Sequence, residues 1–264
     1  MAILDEILGK RRERLALEKV RAPIREIKSR IGDAGAPLDF YGAIRKKKKI
    51  NLIAEVKKAS PSMGLIKADF DPARIASAYK DRSAAISVLT EVDFFQGSLS
   101  YLDIVKKTSG RPVLRKDFIL DEYQIYESRA AGADAFLLIA KMLGRGQAGE
   151  FLQMAQELGL GVLFETHDFK DLEMALRLEA PAIGINNRDL ATMKVDLGTT
   201  FALKAEIPED KNRIVVSESG IRGRADVERL EAAGIDAMLI GTSLMKSPDI
   251  TQKIDELMGA PAGK

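Results

Sequence analysis

The sequence predicts an α/β protein built as a closed parallel (β/α)8 TIM barrel with an N-terminal helical extension. Three observations predict it. From Asn51 onward, eight short apolar runs rich in β-branched residues recur, each ending abruptly in a polar or charged residue. Segments of helical periodicity separate them, several closed by glycine, as helix ends commonly are. No stretch rich in Gly, Ser or Pro divides the alternation. Strands buried on both faces read as continuous apolar runs, and right-handed crossovers then lay every helix outside the sheet. The expected organisation is one barrel domain over residues 1–264, with residues 1–48 as a helical attachment packing on it.

Taken in order, Leu4, Leu8 and Leu15 share one helical face, and Ile24, Ile27 and Ile31 another. Pro23 suits the first turn of the second helix, Gly32–Pro37 stops it, and a third short helix covers Asp39–Lys47. Two apolar stripes need a partner surface, which the barrel supplies. The strand runs are Asn51–Lys57, Ala85–Glu91, Pro112–Lys116, Ala135–Lys141, Val162–Glu165, Ile183–Asn186, Ile214–Glu218 and Ala237–Thr242. Helical crossovers are predicted at Pro72–Arg82, Leu99–Thr108, Glu122–Ala131, Gln147–Leu158, Phe169–Leu178, Thr199–Glu206, Arg224–Ala233 and Pro248–Met258, with Gly110, Gly132, Gly159, Gly234 and Gly259 following helix ends.

Composition narrows the function. The 264 residues are 46% apolar and 30% charged, an ordinary globular balance. With 41 basic and 39 acidic residues the net charge is +2, which gives no electrostatic reason to expect nucleic acid or a membrane surface. The run Arg45–Lys49 precedes the first strand and reads as a solvated approach to the lower rim. No cysteine is present, which excludes disulfides, thiolate metal sites and a thiol nucleophile. A single histidine cannot build a His-rich metal site, so no metal and no cofactor are expected. No apolar stretch is long enough to span a bilayer, the N-terminus is not a signal peptide, and the cytoplasm is the expected location. No further apolar face asks for a partner, so a monomer is expected.

In this fold ligands bind where the strands end, so the polar residue closing each run should point into one mouth. Glu55 and Lys57 lie two apart and face the same way, as an acid–base pair or as a structural ion pair. The loop Ala59–Gly64 is polar and flexible enough to approach a ligand. Lys116, near Lys57 and desolvated, is expected to have a lowered pKa suited to proton transfer or Schiff-base chemistry; the alternative is simple pairing with Glu55 or Glu165. Burial and lysines pull Glu165 in opposite directions. Asn186 supplies neutral hydrogen bonds, Arg188 is a natural fork for a carboxylate, and Asn187 serves the turn. Glu218-Ser219-Gly220 and Gly241-Thr242-Ser243 end the last two strands, where small residues let backbone amides approach a phosphate. His167 falls on the opposite strand face or in the loop, as a structural residue.

The segments ILDEILGKRRERL, LIAEVKKASPSMGLI, SVLTEVDFFQGS, VLRKDFILDEYQIYESRAAGADAFLLIAKML, IGINNRDL, VSESGI and LIGTSLM resemble indole-3-glycerol phosphate synthase over nearly the whole chain. The resemblance implies closure of 1-(2-carboxyphenylamino)-1-deoxyribulose 5-phosphate to indole-3-glycerol phosphate, with loss of carbon dioxide and water, in tryptophan biosynthesis. It implies a polar active-site set of Glu55, Lys57, Ser60, Lys116, Glu165, Asn186, Arg188, Glu218 and Ser219. Phe95, Phe118 and Leu137 would bound the anthranilate ring. Ser219, Gly220, Gly241 and Thr242, helped by Lys57, would hold phosphate. Two positions depart from the family pattern: Met63 removes a loop charge, and Thr242 keeps the backbone amide. On the residues alone, a Schiff-base sugar-phosphate aldolase and a non-catalytic barrel binding a phosphorylated ligand stay open.

Overall fold

Every strand of the barrel is parallel to both of its neighbours, and chain order is also spatial order. The computed structural model describes residues 3–209 and 213–259. The strands are β1 (Asn51–Val56), β2 (Ala85–Leu89), β3 (Val113–Lys116), β4 (Ala135–Ile139), β5 (Gly161–Thr166), β6 (Ala182–Asn186), β7 (Ile214–Glu218) and β8 (Ala237–Ile240). The sheet closes where Asn51 pairs with Ala237 and Ile53 with Leu239. The period-two alternation of strand side chains then sorts the apolar residues into two cores. Ile53, Leu114, Leu137, Leu163, Val216 and Leu239 point inward and fill the barrel. Leu52, Ile86, Val88, Phe136, Phe164 and Ile183 point outward and are covered by the helices.

Those helices are α4 (Pro72–Tyr79), α5 (Tyr101–Ser109), α6 (Glu122–Ala130), α7 (Arg145–Glu157), α8 (Phe169–Arg177), α9 (Gly198–Ala205), α10 (Arg224–Ala232) and α12 (Ile250–Met258), preceded by α1 (Ile3–Arg21), α2 (Ile24–Ser29) and α3 (Phe40–Ile44) and joined before α12 by α11 (Thr242–Lys246). Asp71, Asp121, Asp168 and Asp249 each accept a backbone N–H at the start of their helix. Caps of this kind contribute about 1 kcal/mol each. Four runs end earlier than the sequence suggests, the first at Val56, the second at Leu89, the fourth at Ile139 and the eighth at Ile240. Gly241 breaks the eighth strand and opens α11, and the fourth run turns at Ala140–Met142 into a single 3-10 turn.

The N-terminal segment differs from its sequence pattern in an informative way. The buried face of α1 is Ile7, Arg11 and Leu15, while Leu4 and Leu8 are only half-buried. Arg11 is covered because its Nη1 meets Glu18 Oε2 at 2.9 Å and its Nε lies 3.4 Å from Asp117 Oδ1 beyond β3. An arginine at the centre of a buried stripe does not register as apolar, so the sequence pattern marks this face by its leucines and leaves Arg11 out. Pro23 precedes α2 as its N-cap, its carbonyl accepting from Glu26 and Ile27. The third helix stops at Ile44, because Arg45 is extended, and Asp39 caps its start. Phe40 and Ile44 plug the lower end of the barrel, where a Cβ on Gly161 would come within 3.0 Å of the Phe40 ring.

Candidate active site

Four charged side chains occupy the upper end of the barrel, and all come from odd-numbered strands: Glu55 on β1, Lys116 on β3, Glu165 on β5 and Glu218 on β7. In a closed eight-stranded barrel, inward side chains stack in layers of four drawn from alternate strands, so this charged set is the top layer. Glycines on β6 and just after β8 make room for it. A Cβ on Gly184 would strike the Glu218 carboxylate, and one on Gly241 the carboxylate of Glu55. Above the layer lies a cavity of about 460 Å³, a size suited to a small-molecule ligand.

Lys116 Nζ lies 2.7 Å from Glu218 Oε2 and 3.1 Å from Glu165 Oε2, while Lys57 is ion-paired with Glu55. The expectation of a lowered Lys116 pKa is therefore overturned. Burial lowers it, but Glu218, Glu165 and Glu55 outweigh burial and hold the amine well above its ordinary range, as a firm ammonium. The expectation failed because it counted Lys57 as the nearest charge, and the positive charge of Lys57 is neutralised by Glu55. Burial raises Glu165 too, yet Lys116, His167 and Asn186 hold it well below the usual carboxylate range. Glu218 moves the other way: burial first, then Glu165 and Glu55, push it up to about 7 against the pull of Lys116.

The ring-sized side of the cavity is lined by Phe95, Phe118 and Leu137. The two phenyl rings sit 6.1 Å apart at a tilt of 48°. Each rides on a loop anchored by α1. Arg14 holds Asp93 through two hydrogen bonds of 2.6 and 2.9 Å, and Arg11 faces Asp117, next to Phe118. The Glu91 carboxylate accepts the backbone N–H groups of Asp93, Phe94 and Phe95. Ser60 reaches the cavity from a two-residue antiparallel pair, Ala59–Ser60 with Gly64–Leu65.

Asn186, Arg188, Ser219, Gly220, Gly241 and Thr242 also line the cavity. Ser219 has φ 67° and Gly220 φ 82°, so the chain makes two successive left-handed steps as it leaves β7. For Ser219 that backbone is uncommon and costs on the order of 1 kcal/mol or more. What holds it is Asn187, whose fully buried amide donates to Ser217 Oγ, Glu218 O and Ser219 O at 2.9–3.1 Å and accepts from Thr200 N and Oγ1. Asn187→Ala leaves these groups unpaired and should destabilise the protein by about 2–3 kcal/mol, read as a shifted urea midpoint with an unchanged slope. A loss under about 0.5 kcal/mol would show that Asn187 does not hold this turn.

All fifteen positions singled out in the sequence border the one cavity. Other contributions are not assigned from the sequence. Glu218 is a direct partner of Lys116, not only a lining residue. His167 stands in the loop just after β5, one of the two places the sequence offers, and turns its ring onto Glu165, which rules out the opposite face. Val195 and Met193 reach the cavity from the loop after β6, and no local pattern marks them. Among the described residues, no group of three or more His, Asp or Glu side chains is placed to hold a metal ion.

The chain matches the profile of the indole-3-glycerol phosphate synthase family over residues 4–257. The chain belongs to that family. Family members from Rhodopirellula baltica and Ralstonia nicotianae are each 49% identical to it, over 95% and 98% of this chain and 96% and 98% of their own lengths. A relative from Acetivibrio thermocellus is 48% identical over 96% of this chain and 98% of its own. Among solved structures, a 3-hexulose-6-phosphate synthase superposes with a TM-score of 0.64 over 80% of this chain and 99% of that one. At 17% identity, that likeness speaks for the barrel alone.

Proposed function

We propose that Lys116 is the general acid of indole ring closure, acting on 1-(2-carboxyphenylamino)-1-deoxyribulose 5-phosphate. Family membership makes the protein a decarboxylating lyase of tryptophan biosynthesis. The observation that carries the residue assignment is an ammonium group held between two carboxylates at the cavity floor. As the ring carbon bearing the carboxylate attacks the ketone, charge develops on the carbonyl oxygen. Lys116 donates its proton to that oxygen, since an alkoxide is the stronger base. Loss of carbon dioxide restores the aromatic ring. The new hydroxyl then leaves as water, with Glu165 and the Glu55–Lys57 pair moving the protons.

Binding supplies the geometry. Ser219, Gly220, Gly241 and Thr242, with Lys57, hold the phosphate. Phe95, Phe118 and Leu137 clasp the anthranilate ring, and Arg188 with Ser60 takes the carboxylate that departs. Asn186 steadies Glu165. Burial lowers the Arg188 pKa but leaves it a cation, ready to meet an anion entering the cavity. Gripping both ends of a flexible chain folds it toward its reactive shape, which is where remote binding energy becomes rate. Schiff-base chemistry fits poorly, because it needs a neutral amine and the carboxylates around Lys116 oppose proton loss.

Residues 1–48 belong, in this proposal, to the same domain as the barrel; the burial of Ile7, Leu15, Ile27, Phe40 and Ile44 supports that reading. A cytoplasmic location and a monomeric chain complete it. The test is incubation with the substrate while following indole absorbance and fluorescence. The chain contains no Trp, so the product signal is clean. Tight binding without an indole signal would overturn the assignment in favour of a binding barrel, and a borohydride-trapped adduct on Lys116 in favour of an aldolase.

A further inference from the structure

His167, the only histidine of the chain, follows β5 directly. Its side chain is 2% exposed, with Nε2 3.2 Å from Glu165 Oε1 and Nδ1 3.5 Å from Asp171 Oδ2. Asp171 is itself fixed in the first turn of α8. Its N–H donates to the Asp168 cap, and its Oδ2 accepts the His167 backbone N–H at 2.9 Å. Neither ring nitrogen is aligned for a hydrogen bond to a partner. A neutral imidazole in this position would leave two buried nitrogens unsatisfied between two carboxylates. A cationic ring draws its stabilisation from short-range charge, which does not need linear alignment.

The five side chains from α8 to β7 then alternate in sign: Asp171, His167, Glu165, Lys116 and Glu218. Among the described residues, the neighbouring loops carry a further charged pair, Lys141 with Asp168, 2.9 Å apart. We propose that His167 is held as an imidazolium and serves as a positioning residue, anchoring Oε1 of Glu165 so that Oε2 is presented to Lys116 as a charged carboxylate. The kinetic part of this inference rests on Glu165 acting in proton transfer; the charge state of the ring does not. Burial disfavours the cation, but Asp171 and Glu165 outweigh it and push the ring up to about 9. The sign follows: the stability that His167 contributes is complete below the ordinary histidine value of about 6.5 and is lost as pH rises through about 9.

A single histidine makes the test direct. In the full chain labelled with 15N-histidine, the imidazole signals belong to His167 without assignment. A titration midpoint near 9 that falls toward 6.5 in Glu165→Gln is the expected result. A midpoint at or below about 6.5, or one unmoved by Glu165→Gln, would overturn the inference whether or not the enzyme turns over. His167→Gln supplies the kinetic arm. The acid limb of its kcat/KM profile should move up by about one pH unit, with the difference from wild type closing above pH ~9.5, where the wild-type ring is itself neutral. A profile unchanged in shape would reduce His167 to a packing role.

Discussion

Lys116→Ala lowers turnover by about two to four orders of magnitude and leaves the barrel folded, the usual scale for a lost general acid. The fold survives because the side chain is 15% exposed, so water can replace it, and because Glu165 and Glu218 can share a proton once the ammonium is gone. That sharing has its own signature. A carboxyl whose folded pKa is raised stabilises the fold below its unfolded value and loses that contribution as pH climbs through the folded one. The variant should therefore lose stability relative to wild type between pH ~4.5 and neutrality. Lys116→Arg keeps the charge but cannot give up a proton, so it should restore stability without restoring turnover. Indole fluorescence and urea unfolding measure the two effects separately. Turnover within a few fold of wild type would remove Lys116 from the mechanism.

Arg115→Met is expected to cost about 3–5 kcal/mol, the scale for leaving buried charge uncompensated. Arg115 points out of the barrel beside Lys116, fully buried, and ties β3 to α6 and to the end of β2. It pairs with Asp117 at 3.0 Å and Glu127 at 2.8 Å, and donates to Thr90 Oγ1, Gln124 O and Ser128 Oγ. Burial raises the Asp117 pKa, but Arg115 and Arg11 more than reverse this and hold it below the usual range. Asp117 thus stabilises the fold above its unfolded pKa and loses that contribution as pH falls through the lower folded one. In the variant the carboxylates can be neutralised instead, so the deficit should be larger at pH 7 than at pH 5. Urea unfolding at both values checks it. A loss below about 1 kcal/mol, independent of pH, would show the network to be dispensable.

The strands were legible because a strand buried on both faces writes itself as an uninterrupted apolar run. The charged layer was legible because Lys116, Glu165 and Glu218 close their runs at the mouth, whereas Glu91 and Lys141 close runs as well but turn to loop partners. Parity placed Glu55 and Lys57 on one face, and the same rule applied to positions 165 and 167 would have placed His167 beside Glu165. Arg11 escaped notice on the buried face of α1 because it is covered by an ion pair with Asp117, a partner far along the chain, and hydrophobic periodicity does not register such pairs. The strained Ser219 turn also escaped, since its support is the buried side chain of Asn187.

By itself the sequence determined which segments become strands, which residues stand at their ends, and which chemistry those residue types can perform. Only the tertiary structure decided who faces whom. Lys116 and Glu218 are 102 positions apart in the chain, yet closure of the sheet brings them to 2.7 Å. That contact, not the local sequence, makes Lys116 a fixed cation. The reason is the short range of ionic interactions in a buried site. Protonation states follow from the nearest few ångströms, and the register of a closed barrel sets those distances.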